Sequence, residues 1–359
     1  MDKKQHFDSF DALRFLSFLI VFFSHLPYSL FRGWNFLNLN GTIGVNFFFI
    51  LSGFLITYIL LFEKKSQGSI HLKNFFIRRI LRIWPLYYLA ILFAFSTPYV
   101  LQLLGLSSSD VGYSPNWLFS CLFLENYISI YHNSLPNVSP LPVIWSLCVE
   151  EHFYIIWGFL LYFTRTKRVL PLIGVFIIIG YISRYIFFLN DWQFKDIFTN
   201  IDYFMYGAIP AYFYVNNKEQ FCSIINKISN PIRVLIVVSS VLLIYFASHN
   251  TFENSKFIEP LVFGILFTSV VTLFITDSKN FKISSSLILS KLGKFTYSLY
   301  LLHTIIINFL IQLFFKMDLI IENNTILFIV IALLLTISAS YLSYRIIEKP
   351  FLRLKRYFL

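Results

Sequence analysis

Continuous apolar runs recur along this sequence at the length of a membrane-crossing helix, and that recurrence narrows what the chain can fold into more than any other feature. Eight are strong: residues 43–62, 85–104, 143–163, 170–189, 234–248, 259–276, 295–315 and 326–347. Most approach the ~20 residues that a spanning helix needs, and apolarity that is continuous rather than alternating argues against a barrel. Two weaker runs complete the set. Residues 10–26 carry Asp11 and Arg14 near their start, while residues 201–215 hold Asp202, Gly207 and Pro210, a composition that predicts a kinked or tilted helix. The expectation is an all-α polytopic integral membrane protein of about ten transmembrane helices, forming one membrane-embedded domain over residues 1–359. A chain with 57% hydrophobic and 13% charged residues has too little polar surface to cover a core in water.

A formal net charge of +11 raises nucleic acid as a partner, but the placement of the cations explains the charge without one. With the N-terminus inside and ten spans, 23 of the 29 Lys and Arg fall in inner segments. Only Arg32, Lys195, Lys256 and Lys316 fall outside, and Arg14 and Arg184 lie within spans. Such an asymmetry follows the positive-inside rule and predicts both termini in the cytoplasm of a multi-pass protein of the cell (inner) membrane. Segment 105–142 contains no Lys or Arg and becomes the largest outer loop. Cys121, Cys148 and Cys222 show no metal-like spacing and imply no disulfide framework, and no cleavable signal peptide is legible. No metal is expected.

Ionisable side chains in spans cost at least ~2.5 kcal/mol on insertion scales, so each is a candidate for function. Arg14 and His25 are separated by eleven residues. On an ideal helix that is roughly 16 Å of rise and a return to within about 20° of the same face. One stripe would then carry a guanidinium near the inner surface and an imidazole near the outer one. The plain alternatives are a snorkelling anchor for Arg14 and an interfacial histidine without a role for His25. In WSLCVEEHFY, Glu150 and Glu151 open a span running from outside to inside, at the depth of His25. A carboxylate beside an imidazole can hold its tautomer and raise its basicity. Helix capping explains one surface acid better than two in an aromatic-rich span.

On the inner side, RRILRIWP places Arg79 and Arg82 three apart on one helical face, where a pair can fork onto phosphate oxygens; headgroup anchoring is the plain reading. In GKFTYSLYLLH, His303 falls near mid-membrane, where a core histidine bonded to a neighbouring helix is a serious competitor. Glu348, in YRIIEKP, reads as a salt-bridge partner at a helix end.

Together these segments resemble the acyltransferase family 3 of membrane proteins, which includes O-acetyltransferases of O-antigens and other surface polysaccharides. The resemblance runs from Phe7 to Pro350 in ordered blocks: FDALRFLSFLIVFFSH with Arg14 and His25, GVNFFFILSGFLI, RRILRIWP with Arg79 and Arg82, WSLCVEEHFY, GKFTYSLYLLH and YRIIEKP. Asn46 stands where the family usually has Asp, and His152 where it usually has Gln, which leaves Glu150 as the match to the family's acid. Some relatives carry an appended soluble domain; the expectation here is the standalone type without one, since nine residues follow Pro350.

The resemblance implies a transferase that moves an acyl group, preferentially acetyl, from cytoplasmic acyl-CoA to a hydroxyl of an extracytoplasmic glycan or glycolipid such as O-antigen or lipopolysaccharide. Its polyanionic donor would dock at Arg14, Arg79 and Arg82 and thread its pantetheine arm between the helices. His25, oriented by Glu150, would act as general base or acyl carrier. Ser52, Gly53, Tyr297, Tyr300 and His303 are expected along the substrate path. The competing class is a multi-span transporter of a small polar or glycan-related substrate, which usually shows repeated halves with matching broken helices; none is visible.

Overall fold

A computed structural model describes residues 5–31, 35–103, 111–249, 255–276 and 281–358. Lys3, Lys4, Arg32, Lys279 and residues 104–110 of the outer loop, all used in the topology argument, lie outside the described residues. Helices come in the order α1 Asp8–Ser24, α2 Gly41–Gln67, α3 Leu72–Leu103, α4 Trp117–Cys121, α5 Glu125–His132, α6 Trp145–Phe163, α7 Val169–Leu189, α8 Ile197–Asn216, α9 Lys218–Asn226, α10 Asn230–His249, α11 Ser255–Leu273, α12 Ile288–Gly293, α13 Thr296–Lys316, α14 Thr325–Ser343 and, after a π-helical turn Tyr344–Glu348, α15 Lys349–Leu354. Among the described residues there is no strand, only an isolated bridge between Tyr113 and Pro136. The protein is an all-α polytopic membrane protein. Each of the ten apolar runs coincides with a helix of at least 17 residues, and six helices among the described residues are long and apolar enough to cross a bilayer.

Two boundaries differ from the sequence reading. α1 stops at Ser24 rather than continuing to residue 26, so His25 leaves the helix instead of riding its stripe. The cause is local: Pro27 disfavours helical backbone at Leu26 and cannot supply the next N–H. α3 begins 13 residues before the apolar run at 85, so RRILRIWP is helical throughout and Pro85 lies inside the helix.

The contacts divide the chain into two units interleaved in sequence. The first comprises Met1–Ser24, Asn38–His71 and His152–Lys294. Its centre is the crossing of α2 and α8, where Gly53 meets the backbone of Phe204 and Gly207 that of Ile50; a Cβ at either glycine would fall about 2 Å from a carbonyl oxygen. Lipid is as apolar as leucine, so close backbone approach supplies the packing that the hydrophobic effect supplies in water. At the end of α2, Lys64 Nζ donates to the carbonyls of Leu161 (2.8 Å) and Thr164 (2.7 Å). Lys65 Nζ donates to Val215 C=O (2.6 Å). Basic side chains thus cap the C-terminal carbonyls of α6 and α8, gathering three helix ends on one side as alternating spans require.

The second unit comprises His25–Leu37, Leu72–Glu151 and Phe295–Leu359. Here segment 111–143 is ordered by its own chemistry. The fully buried Glu125 accepts hydrogen bonds from Tyr113 and Ser120, and Tyr87 of α3 donates to Ser120 C=O at 2.7 Å. Gly112, at φ +104°, brings the backbone against Leu135, where any Cβ would strike the carbonyl oxygen.

Candidate functional site

Unit two holds most of the residues singled out from sequence, on three elements. The turn after α1 carries His25, the first turns of α13 carry Tyr297, Tyr300 and His303, and the N-terminal part of α6 carries Glu150. His303 Nε2 lies 3.3 Å from His25 Nδ1, with the rings edge-on at 4.9 Å between centroids. His303 is wholly buried, whereas His25 is exposed. Sequence reasoning placed His303 on the substrate path; the fold makes it a direct partner of His25, 278 residues away.

Hydrogen-bond logic assigns the tautomers. His303 Nδ1 is 2.7 Å from Tyr300 C=O, and a carbonyl can only accept, so Nδ1 carries the proton. In the neutral ring Nε2 is then the acceptor, and His25 Nδ1 must donate to it. The lone pair of His25 therefore sits on Nε2.

Glu150 is half-buried and acts electrostatically on Tyr300, whose hydroxyl donates to Val143 C=O at 3.0 Å and shares a 2.6 Å hydrogen bond with Ser146. Ser139 donates to Thr304 at 2.8 Å, so segment 111–143 is pinned to α13 beside His303. Its neighbour Glu151 turns elsewhere. Buried to 8% exposure, it has Trp84 and Arg79 of α3 as electrostatic partners, so the two consecutive acids serve different surroundings.

At the other end of the unit, RRILRIWP, GKFTYSLYLLH and YRIIEKP converge. Tyr297 donates to Ile83 C=O at 2.7 Å, Ser298 donates to Glu348, and Arg82 and Lys355 act on the Glu348 carboxylate. Arg78 donates to Phe358 C=O at 2.5 Å, and Arg79 stands over the Phe75 ring. Glu348, expected as a salt-bridge partner, is buried among these groups by the π-helical turn.

Three of the sequence candidates belong to unit one. Arg14 is half-buried and donates to Asp11 at 3.1 Å, one turn away. Ser52 is half-buried on α2, and Gly53 lies at the crossing with α8.

Comparison with known proteins bears on this arrangement. Residues 7–345 match the family described as the acyltransferase domain. A peptidoglycan O-acetyltransferase of Listeria monocytogenes, OatA, is 37% identical over 188 residues, covering 50% of this chain and 28% of that protein. A protein of Staphylococcus aureus named "Putative O-acetyltransferase" is 28% identical over 371 residues, covering 97% of this chain and 58% of its own length. The chain thus spans well under two thirds of the length of either relative. No solved structure matches. With a family match over nearly its whole length, and with the family's Arg, His and acid blocks drawn into helices of a polytopic membrane fold, this chain belongs to the acyltransferase family 3 of membrane proteins.

Proposed function

We propose that the protein is a membrane O-acetyltransferase that moves an acetyl group from cytoplasmic acetyl-CoA to a hydroxyl of an extracytoplasmic glycan. The observation that carries the reading is the His25–His303 pair: an exposed imidazole whose proton is fixed on Nδ1 by a buried second imidazole, itself fixed by the Tyr300 carbonyl. In this reading the acceptor hydroxyl gives its proton to His25 Nε2 as its oxygen attacks the thioester carbonyl. The C–S bond breaks, and the departing thiolate takes the proton back, releasing CoA and the O-acetyl sugar. Glu150 acts as an electrostatic support on the same wall, through Tyr300.

Arg79 and Arg82 are the proposed contacts for the nucleotide phosphates of the donor. The similarity to a peptidoglycan O-acetyltransferase favours a cell-wall glycan acceptor over O-antigen or lipopolysaccharide. The cell membrane is the site of action.

The test is transfer by purified protein in lipid vesicles from radiolabelled acetyl-CoA to solubilised glycan. His25→Ala should fold and bind CoA as wild type yet transfer about 10²–10⁴-fold more slowly. Wild-type transfer by His25→Ala would sink the mechanism.

A further inference from the structure

Segment 111–143 contains a concavity. A cavity of about 440 Å³ opens between α4 and α5 and is lined by Ser114, Asn116, Phe119, Ile128, Tyr131 and His132. We infer that this cavity is a binding subsite for a pyranose unit of the glycan acceptor, holding the polymer while a neighbouring sugar is acylated. The inference rests on the proposed transferase reading and extends it to how the acceptor is recognised.

Three observations carry it. First, the walls suit a sugar, which presents apolar C–H faces and a rim of hydroxyls. Tyr131 is 84% exposed, and its ring stands edge-on to that of His132 at 5.2 Å, offering flat apolar surface. Asn116 uses its Oδ1 to cap α4 through Leu118 N–H (2.9 Å), which leaves its amide N–H groups to donate, and Ser114 adds a hydroxyl to the same lining.

Second, the walls exclude the other substrate. No Lys or Arg occurs anywhere from residue 83 to residue 164, so nothing here matches the phosphates of acyl-CoA or an anionic headgroup.

Third, the concavity is preorganised. The His132 ring stacks on that of Tyr113 at 4.7 Å and 17° between planes. Tyr113 is in turn fixed by the buried Glu125, by Ser129 at 3.1 Å and by backbone hydrogen bonds with Leu135 and Asn137. A buried carboxylate holding the platform beneath an exposed aromatic rim lowers the ordering cost of binding. The same segment then runs through Ser139 and Val143 to the Thr304 and Tyr300 contacts beside His303, so subsite and His25–His303 pair share one scaffold.

The experiment titrates the full-length protein in lipid nanodiscs with oligosaccharides of β-linked N-acetylhexosamine, two to six sugars long, without any acyl donor. Wild type should bind saturably, more tightly as the chain lengthens. Tyr131→Ala should weaken binding roughly tenfold, the scale of one lost stacking face, while Tyr131→Phe keeps it and both variants melt like wild type. Wild-type affinity in Tyr131→Ala, or no saturable binding by wild type, overturns the inference. Affinity retained while the variant loses contact with bromolipid quenchers also overturns it and assigns the ring to the bilayer interface. Because no donor is present, a protein that binds glycan here yet transfers nothing would refute the transferase reading alone.

Discussion

Two polar pairs, Arg184 with Asp202 in unit one and His25 with His303 in unit two, are built in opposite ways. In unit one, Arg184 of α7 grips Asp202 of α8 with two hydrogen bonds of 2.6 and 2.5 Å. Both residues are at most 2% exposed, and the guanidinium also lies over the Tyr203 ring at 5.1 Å. Geometry of this kind satisfies a planar fork completely and seals it from solvent. In unit two, His25 and His303 share a single 3.3 Å contact, with one ring buried and the other exposed. A closed ion pair holds helices together; a half-open pair of imidazoles fixes a lone pair and presents it. In the first case the two hydrogen bonds of the ion pair offset the cost of intramembrane charge.

The largest effect should come from breaking the closed pair. Asp202→Ala strands a buried guanidinium, which should destabilise the protein by about 3–5 kcal/mol, seen as a collapse of the thermal melt in detergent. The double variant Arg184→Leu with Asp202→Leu should recover most of that loss. If Asp202→Ala melts normally but fails to transfer acetyl, the pair belongs with the chemistry and the comparison falls.

Opening the second pair should leave the fold standing and slow the reaction. His303→Phe fills the buried space but cannot fix His25 Nδ1, so kcat should drop by about 10²-fold, toward the low end of what a general base supplies, with acceptor KM unchanged. His303→Asn, which can donate to the Tyr300 carbonyl and accept from His25, should retain more rate. Equal loss in both variants, or a loss confined to KM, would make His303 a packing residue.

The smallest effect is expected at the other end of unit two. Arg82 acts on Glu348, which Ser298 and Lys355 also reach, so its surroundings are structural as well as those of the proposed donor contact. Arg82→Ala should weaken CoA binding roughly tenfold, and Lys should rescue only part of it because the planar fork is lost. Unchanged CoA affinity in an Arg79→Ala, Arg82→Ala double variant would return both cations to headgroup anchoring.

Much of the fold was legible because a bilayer demands continuous apolarity of one length: a helix stands over each apolar run, and six of these helices among the described residues are long and apolar enough to cross it. The end of α1 was legible too, had Pro27 been weighed against the apolar run through Leu26. The short helices α4 and α5 carried no such signal. At five and eight residues they are too brief to show a period, and they are held by Glu125, Tyr113 and Ser120, contacts that exist only once the chain has turned back on itself.

From the residues alone came the membrane as solvent, the alternation of helices and the family, with His25, Glu150, Arg79 and Arg82 as the groups to examine. The membrane and the helices follow from composition and spacing along one chain, and the family from the resemblance of its motif blocks. Tertiary structure alone decided that His303 stands against His25, that Glu150 acts on Tyr300 while Glu151 has Trp84 and Arg79 as partners, that Gly53 packs against Phe204, and that segment 111–143 folds around a cavity. Each of these depends on which faces of distant helices meet, and in a membrane, where every span is apolar, one-dimensional pattern does not distinguish one face from another.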